Sequence, residues 1–165
     1  MFRHLTLLIA ACSVLFFFTA ASAEDPSAQV RLTAEERATW DGSVFRIEDA
    51  KSRVSIASIK LSVSDLKPEG DNLVGEYTIE VPLLQSKNDR GKIVLPLNLS
   101  MVELGANGGV LHGQAISYQG GKTPNLIICE VLPKKGQKIL LEITTDDRTL
   151  EFTSRYSIVK RKTDS

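Results

Sequence analysis

Cysteine and histidine are scarce in this chain, and their scarcity removes several chemistries at once. The 165 residues include two cysteines, Cys12 and Cys129, and two histidines, His4 and His112. Cys12 and His4 lie in an N-terminal segment that we expect to be removed, which leaves one residue of each kind. A lone cysteine excludes a disulfide within the chain, and one cysteine with one histidine is too few for a zinc site of such ligands.

Catalytic signatures are also missing, and the sequence favours a protein without enzymatic activity. No G-x-S-x-G sequence occurs, which removes the common motif of serine hydrolases. Cys129 shares a strand phase with Ile127 and Val131, so we expect a small buried apolar residue rather than a nucleophile. Twenty acidic residues leave one enzymatic alternative open, a pair of carboxylates brought together by the fold. We predict no catalytic residues, no metal site and no cofactor.

Charge of one sign is not in excess either. Twenty basic residues balance twenty acidic ones, and the formal net charge at pH 7 is zero. Nucleic-acid-binding domains carry a surplus of basic residues, so we do not expect nucleic acid as a partner. The one basic cluster, Lys160-Arg161-Lys162, leads into a solvated tail over residues 161–165.

The one long hydrophobic run lies at the N-terminus and has the pattern of a secretory signal peptide. Leu5 to Ala20 is almost wholly apolar, and Ala21-Ser22-Ala23 follows as a cleavage site of small residues. The run has about 16 residues, fewer than the roughly 20 that a membrane-spanning helix needs. We predict a cleaved signal peptide over residues 1–23, a secreted or periplasmic protein, and no integral membrane span after cleavage. Lipidation at Cys12 is a weaker alternative, because apolar residues continue beyond it.

Residues 24–42 read as a polar lead-in followed by one short helix. Thr33 and Glu36 have the spacing of a capping box, and Gly42 ends the helix. So short a helix must pack against the rest of the protein, and Trp40, the only tryptophan, is its expected anchor.

From residue 43 to residue 160 the hydrophobic period is two, which indicates a β-domain. Short segments with turn residues separate the strands, and no helical pattern intervenes, as is typical of antiparallel all-β domains. A change of apolar phase indicates a bulge near Ala57-Ser58. Eight candidate strands begin near Phe45, Val54, Tyr77, Ile93, Val110, Leu126, Ile139 and Leu150.

We predict an antiparallel β-sandwich of about eight strands with one short N-terminal helix. A closed up-and-down β-barrel is the alternative. Pro82 and Pro96 favour the sandwich, because prolines inside strands belong at edges or bulges, and a closed barrel has no edges.

Strand parity gives one expectation about binding. Consecutive antiparallel strands alternate in direction, so alternate connections lie at the same end of the domain. One end collects the longer connections, which carry both signs of charge, and loops on a rigid sheet are frequent binding sites. The predicted binding residues at this end are Lys87, Asn88, Asp89, Arg90, Asp146, Asp147 and Arg148.

These features predict a secreted or periplasmic, non-enzymatic β-domain that acts by binding or as an envelope component. Its partner would be a protein or another envelope component. One alternative is a lipocalin-like carrier of an apolar small molecule, which requires a hollow interior lined by residues such as Ile79, Leu97 and Leu141. A further alternative, an eight-stranded outer-membrane barrel, should show aromatic girdles, whereas aromatic residues make up only 6% of this chain.

We predict that the exported protein begins at Glu24, because Ala21-Ser22-Ala23 places the cleavage directly before it. N-terminal sequencing of the exported form measures this. An intact Met1 or a lipidated Cys12 at the N-terminus would contradict the prediction.

Overall fold

The computed structural model describes residues 32–54, 57–119, 123–145 and 148–160. The predicted signal peptide, Asp146 and Asp147 lie outside these residues. Within them the chain contains two short helices, α1 (Ala34–Ala38) and α2 (Met101–Asn107), besides single 3-10 turns at Gln85–Lys87 and Pro133–Lys135. The strands are β1 (Ser43–Ile47), β2 (Ala50–Val54), β3 (Ala57–Val63), β4 (Lys67–Glu69), β5 (Asn72–Glu80), β6 (Asp89–Pro96), β7 (Gly109–Ser117), β8 (Asn125–Leu132), β9 (Lys138–Thr144) and β10 (Thr149–Lys160).

Eight of these strands close into an antiparallel barrel. The order around the ring is β10, β2, β3, β5, β6, β7, β8 and β9, and β9 returns to β10. The β9–β10 ladder places Thr149 opposite Thr144. The other edge of β10 meets β2 where Thr153 lies opposite Lys51, and it continues along β1. β4 pairs with β5 beside the ring.

The predicted antiparallel all-β fold is confirmed, and the closed barrel that was its alternative is the observed architecture. The sandwich was close, since eight of the ten strands lie in predicted segments, although β2 and β4 were not among the predicted strands. A sandwich leaves sheet edges open, whereas here β9 pairs with β10. Pro82 and Pro96 do not argue against a closed barrel, because neither residue lies in the interior of a strand. Pro82 follows the end of β5 at Glu80, and Pro96 is the last residue of β6.

The bulge predicted near Ala57-Ser58 is a chain reversal instead. β2 and β3 pair antiparallel, with Val54 opposite Ala57. The apolar phase changes there because the chain passes to the next strand of the barrel.

Alternate residues of the strands point into the barrel and are buried there. Several of them, including Leu111, Ile127 and Leu141, have no exposed surface, so no water-sized void touches them. Ile79 and Leu97, the other residues named for a carrier cavity, are also buried in this single apolar cluster. The residues between the inward ones, such as Thr78 and His112, are exposed on the outside.

One end of the barrel, here called the helix end, carries α1, which has no buried residue itself but lies between the buried residues Leu32 and Trp40. The predicted capping box is present, since the Thr33 amide donates to Glu36 Oε2 at 2.8 Å and the Glu36 amide donates to Thr33 Oγ1 at 3.3 Å. Trp40 has no exposed surface, and its indole N–H donates to the Leu99 carbonyl at 3.0 Å. Trp40 therefore anchors the helix as predicted.

The second helix, α2, also covers the helix end, where the sequence indicated only the end of a strand. Ser100 caps it by accepting a hydrogen bond from the Glu103 amide at 3.1 Å, and Leu104 is fully buried. The Met101 amide donates to Thr39 Oγ1, which ties the start of α2 to the residue after α1. Neither helix in the described part of the chain is long and apolar enough to cross a membrane.

We predict that Cys129 is inert in the native protein. Its side chain has no exposed surface, and burial raises the pKa of its thiol to about 12, so the reactive thiolate is scarce. In a Cys12→Ser background, a thiol reagent at pH 8 should label Cys129 slowly in buffer and rapidly in denaturant. A control cysteine on an exposed loop, Ser86→Cys, should react rapidly under both conditions. Rapid native labelling of Cys129 would contradict the burial.

Candidate binding groove at the barrel rim

The end opposite the helices, here called the rim, carries the connections that follow β5, β7 and β9. Strand parity predicts this grouping, and the barrel keeps it because every neighbouring pair in the ring is antiparallel. The connection after β5 is a structured loop. The Leu84 amide donates to the Val81 carbonyl, and the Val81 amide donates to Asn88 Oδ1 at 2.7 Å.

A surface groove of about 300 Å³ lies at this rim. It is on the outside of the barrel wall, because the neighbours of Thr78 along β5, Tyr77 and Ile79, are buried inside. Thr78 and Arg90 lie opposite each other in the β5–β6 ladder, and both are exposed. The groove is lined by Thr78, Asn88, Asp89, Arg90, Tyr118 and Gln119.

Asp89 anchors the groove to the barrel interior. Its carboxylate accepts a hydrogen bond from the Tyr77 hydroxyl at 2.9 Å on Oδ2 and from the Ser117 hydroxyl at 2.6 Å on Oδ1. Burial of the Tyr77 ring and its bond to the Asp89 carboxylate both raise the pKa of the Tyr77 hydroxyl. Tyr77 therefore stays neutral and keeps its proton on the bond to Asp89.

Gly91 makes room for this arrangement. A Cβ at this position would lie 2.0 Å from the Ile116 carbonyl oxygen and 2.8 Å from the Tyr77 ring. Only glycine lets β6 pass so close to β7 while the Tyr77 ring reaches under it to Asp89.

One main-chain and one side-chain hydrogen bond join the two sides of the groove. The Tyr118 amide donates to the Arg90 carbonyl at 2.9 Å, and Gln119 Nε2 donates to the Asn88 carbonyl at 3.0 Å. These two hydrogen bonds connect the sides of the groove in the absence of any ligand.

Tyr118 and Arg90 provide the exposed polar groups of the groove. The Tyr118 hydroxyl donates to Glu76 Oε1 at 2.9 Å. This bond raises the pKa of Tyr118, and Arg90 lines the same groove. Among the described residues, the Arg90 side chain makes no ion pair or hydrogen bond.

The structure brings only part of the predicted binding set together. Asn88, Asp89 and Arg90 line the groove, and Lys87 is exposed in the loop just before them. Arg148 is at the same end but on the opposite side of the ring, where β9 meets β10. Asp146 and Asp147 lie outside the described residues.

Sequence reasoning missed three residues that line the groove, Thr78, Tyr118 and Gln119. Thr78 is one of many polar residues that alternate along a strand, and nothing in the sequence distinguishes it. Tyr118 and Gln119 directly precede Gly120-Gly121, a turn assigned to the same end by strand parity. A search for aromatic and amide side chains beside that turn would have found both.

Comparison with protein-family models, with curated proteins and with solved structures gave no match to this chain. The candidate site therefore stands on its geometry alone. In the described part of the chain, no three histidine, cysteine or acidic side chains are grouped to hold a metal ion.

We predict that Asp89 stabilises the rim. Asp89→Ala leaves the hydroxyls of Tyr77 and Ser117 without their acceptor, and such a loss costs about 1–3 kcal/mol of unfolding free energy. Urea unfolding at pH 7 measures the change. The neighbouring exposed variant Thr78→Ala is the control and should cost less than about 0.5 kcal/mol. Equal effects of the two variants would show that the Asp89 contacts contribute nothing.

Proposed function

We propose that the protein is an exported, non-enzymatic binding domain that holds the anionic group of a small ligand in the rim groove. The observation that carries this proposal is the coincidence of two independent results. Strand parity selected seven binding residues at this end from the sequence, and three of them, Asn88, Asp89 and Arg90, line the groove of about 300 Å³. The leader pattern of residues 1–23 supports export.

Arg90 is the group that selects an anion. A guanidinium presents five N–H donors in a planar fork that matches a carboxylate or a phosphate. It projects outward from β6, opposite Thr78, and has no acidic partner among the described residues. The carboxylate of the neighbouring Asp89 accepts hydrogen bonds from the hydroxyls of Tyr77 and Ser117.

The rest of the groove adds orientation rather than charge. Thr78 supplies a hydroxyl, and Asn88 and Gln119 supply amides that are already fixed to the backbone. Tyr118 adds a half-exposed ring on which a planar or apolar part of a ligand can rest. An anion attached to a small ring fits this combination.

The alternative of a lipocalin-like carrier has weaker support. A closed barrel is compatible with it. However, the inward side chains of β7, β8 and β9 include Leu111, Ile127 and Leu141, which have no exposed surface at all. An apolar ligand would have to expand the barrel, whereas the rim groove is already present.

We predict that phenyl phosphate binds the groove and that Arg90→Gln weakens its binding about 10- to 100-fold, because a hydrogen bond to a charged group contributes roughly 1.5–3 kcal/mol. Titration followed by amide NMR shifts measures this, and the shifts should centre on residues 88–90 and 118–119. Arg148→Gln removes the same charge from the other side of the rim and is the matched control. Equal loss of affinity in both variants, or shifts located elsewhere, would overturn the proposed site.

A further inference from the structure

The exposed apolar side chains are unevenly distributed between the two ends of the barrel. At the helix end the large exposed ones are all valines, namely Val102, Val110 and Val159. Every large exposed leucine or tyrosine of the described residues lies at the rim. These are Leu83 (74% exposed), Tyr118 (53%), Leu84 (52%) and Leu126 (47%).

Leu83 and Leu84 stand at the tip of the β5–β6 loop, and the loop holds them there. The Leu84 amide bonds to the Val81 carbonyl, and the Asn88 side chain closes the base of the loop on the Val81 amide. Val81 is buried, so the loop is fixed to the core directly before the exposed pair. Two adjacent leucines on an ordered tip indicate a contact surface, because exposed leucines on monomeric proteins are usually scattered singly.

The charges around this tip favour an anionic surface. Lys87 lies in the same loop, Arg90 is in the groove beside it, and Arg53 is exposed at the rim end of β2. Two exposed acids lie near these bases among the described residues: Glu80 at the end of β5, and Glu76, which accepts the hydrogen bond of the Tyr118 hydroxyl. Lys87 and Arg53 lie closer to the loop tip and the end of the barrel than Glu76 does. Apolar side chains at a tip with basic residues behind them are typical of proteins that bind the interface of an anionic bilayer.

We propose that the rim docks on the surface of an anionic lipid bilayer. Leu83 and Leu84 enter the boundary between headgroups and acyl chains, while Lys87 and Arg53 lie against the headgroups. A bilayer can accept a projecting tip without a preformed pocket, which a protein partner would need. Tyr118 lies at the level of the headgroups, where the amphipathic ring of tyrosine is favoured.

This inference deepens the proposed function and rests on it in one respect, because the anion held by Arg90 is then a lipid phosphate. The leucine contact is independent of the groove. Loss of the leucines should therefore remove bilayer binding but leave phenyl phosphate binding intact, whereas Arg90→Gln should weaken both.

A tryptophan placed at the tip tests the docking directly. Leu84→Trp should shift its emission to the blue on phosphatidylglycerol vesicles and should be quenched by brominated acyl chains. Trp40 is buried at the helix end and supplies a constant background, which the unmodified protein measures. Val102→Trp, exposed on α2 at the helix end, is the matched control and should not be quenched. Quenching of both variants, or of neither, would overturn the proposed orientation.

Vesicle co-sedimentation measures the contribution of the leucines. The double change Leu83→Ser with Leu84→Ser should lower the partition coefficient at least about tenfold without lowering stability, since both side chains are exposed. Neutral phosphatidylcholine vesicles should bind weakly, and raised ionic strength should weaken binding to anionic ones. Retention of vesicle binding by the double variant would refute the inference. A second result would also refute the inference. If the unmodified protein does not bind vesicles but forms a dimer, and the double change dissociates that dimer, the tip contacts a second copy of the chain.

Discussion

The pairing of β10 on both of its edges is the constraint on which the rest of the structure depends. One edge carries the ladder with β9, and the other meets β2 and then β1. A sheet closed in this way has no free edge within the ring, and its strands must all run alternately between two ends. Closure therefore determines which connections meet, and it separates the helix end from the rim before any side chain of the candidate site is considered.

The two ends of the barrel differ in the residues that close them. At the helix end Trp40, which follows α1, and Leu104, which belongs to α2, are fully buried and join the apolar core. At the rim, where β5, β6 and β7 adjoin, Asp89 is held between the hydroxyls of Tyr77 and Ser117. Three polar groups that satisfy one another can lie next to water without exposing the core. This leaves the outer side of the rim available for contact with other molecules.

The sequence predicts much of this arrangement, and the remainder depends on packing. Period-two alternation identifies eight of the ten strands but not β2 or β4, which are short, and antiparallel parity assigns residues 88–90 to the rim. The helix α2 was missed because apolar alternation runs up to Met101, although Ser100 and Glu103 have the spacing of a helix cap. Pro82 does not indicate whether the sheet is open or closed, because it lies beyond the end of β5 at Glu80. Tyr118 joins the groove only because β7 lies beside β6 in the ring, and that neighbour relation is a product of the fold.

Along β6, side chains alternate between the inside and the outside of the barrel, and this alternation links the stability of the rim to the proposed binding of an anion. Asp89 and Arg90 are adjacent in the chain, so one points into the barrel and the other points out. Two hydroxyl donors fix the carboxylate of Asp89, and this fixes the backbone from which Arg90 projects. The loop that enters this strand carries Leu83 and Leu84, and Asn88 closes that loop on its own base. The contacts of Asp89 and of Asn88 thus determine where a cation and two apolar side chains are presented outside the barrel, as the proposed binding at the rim requires.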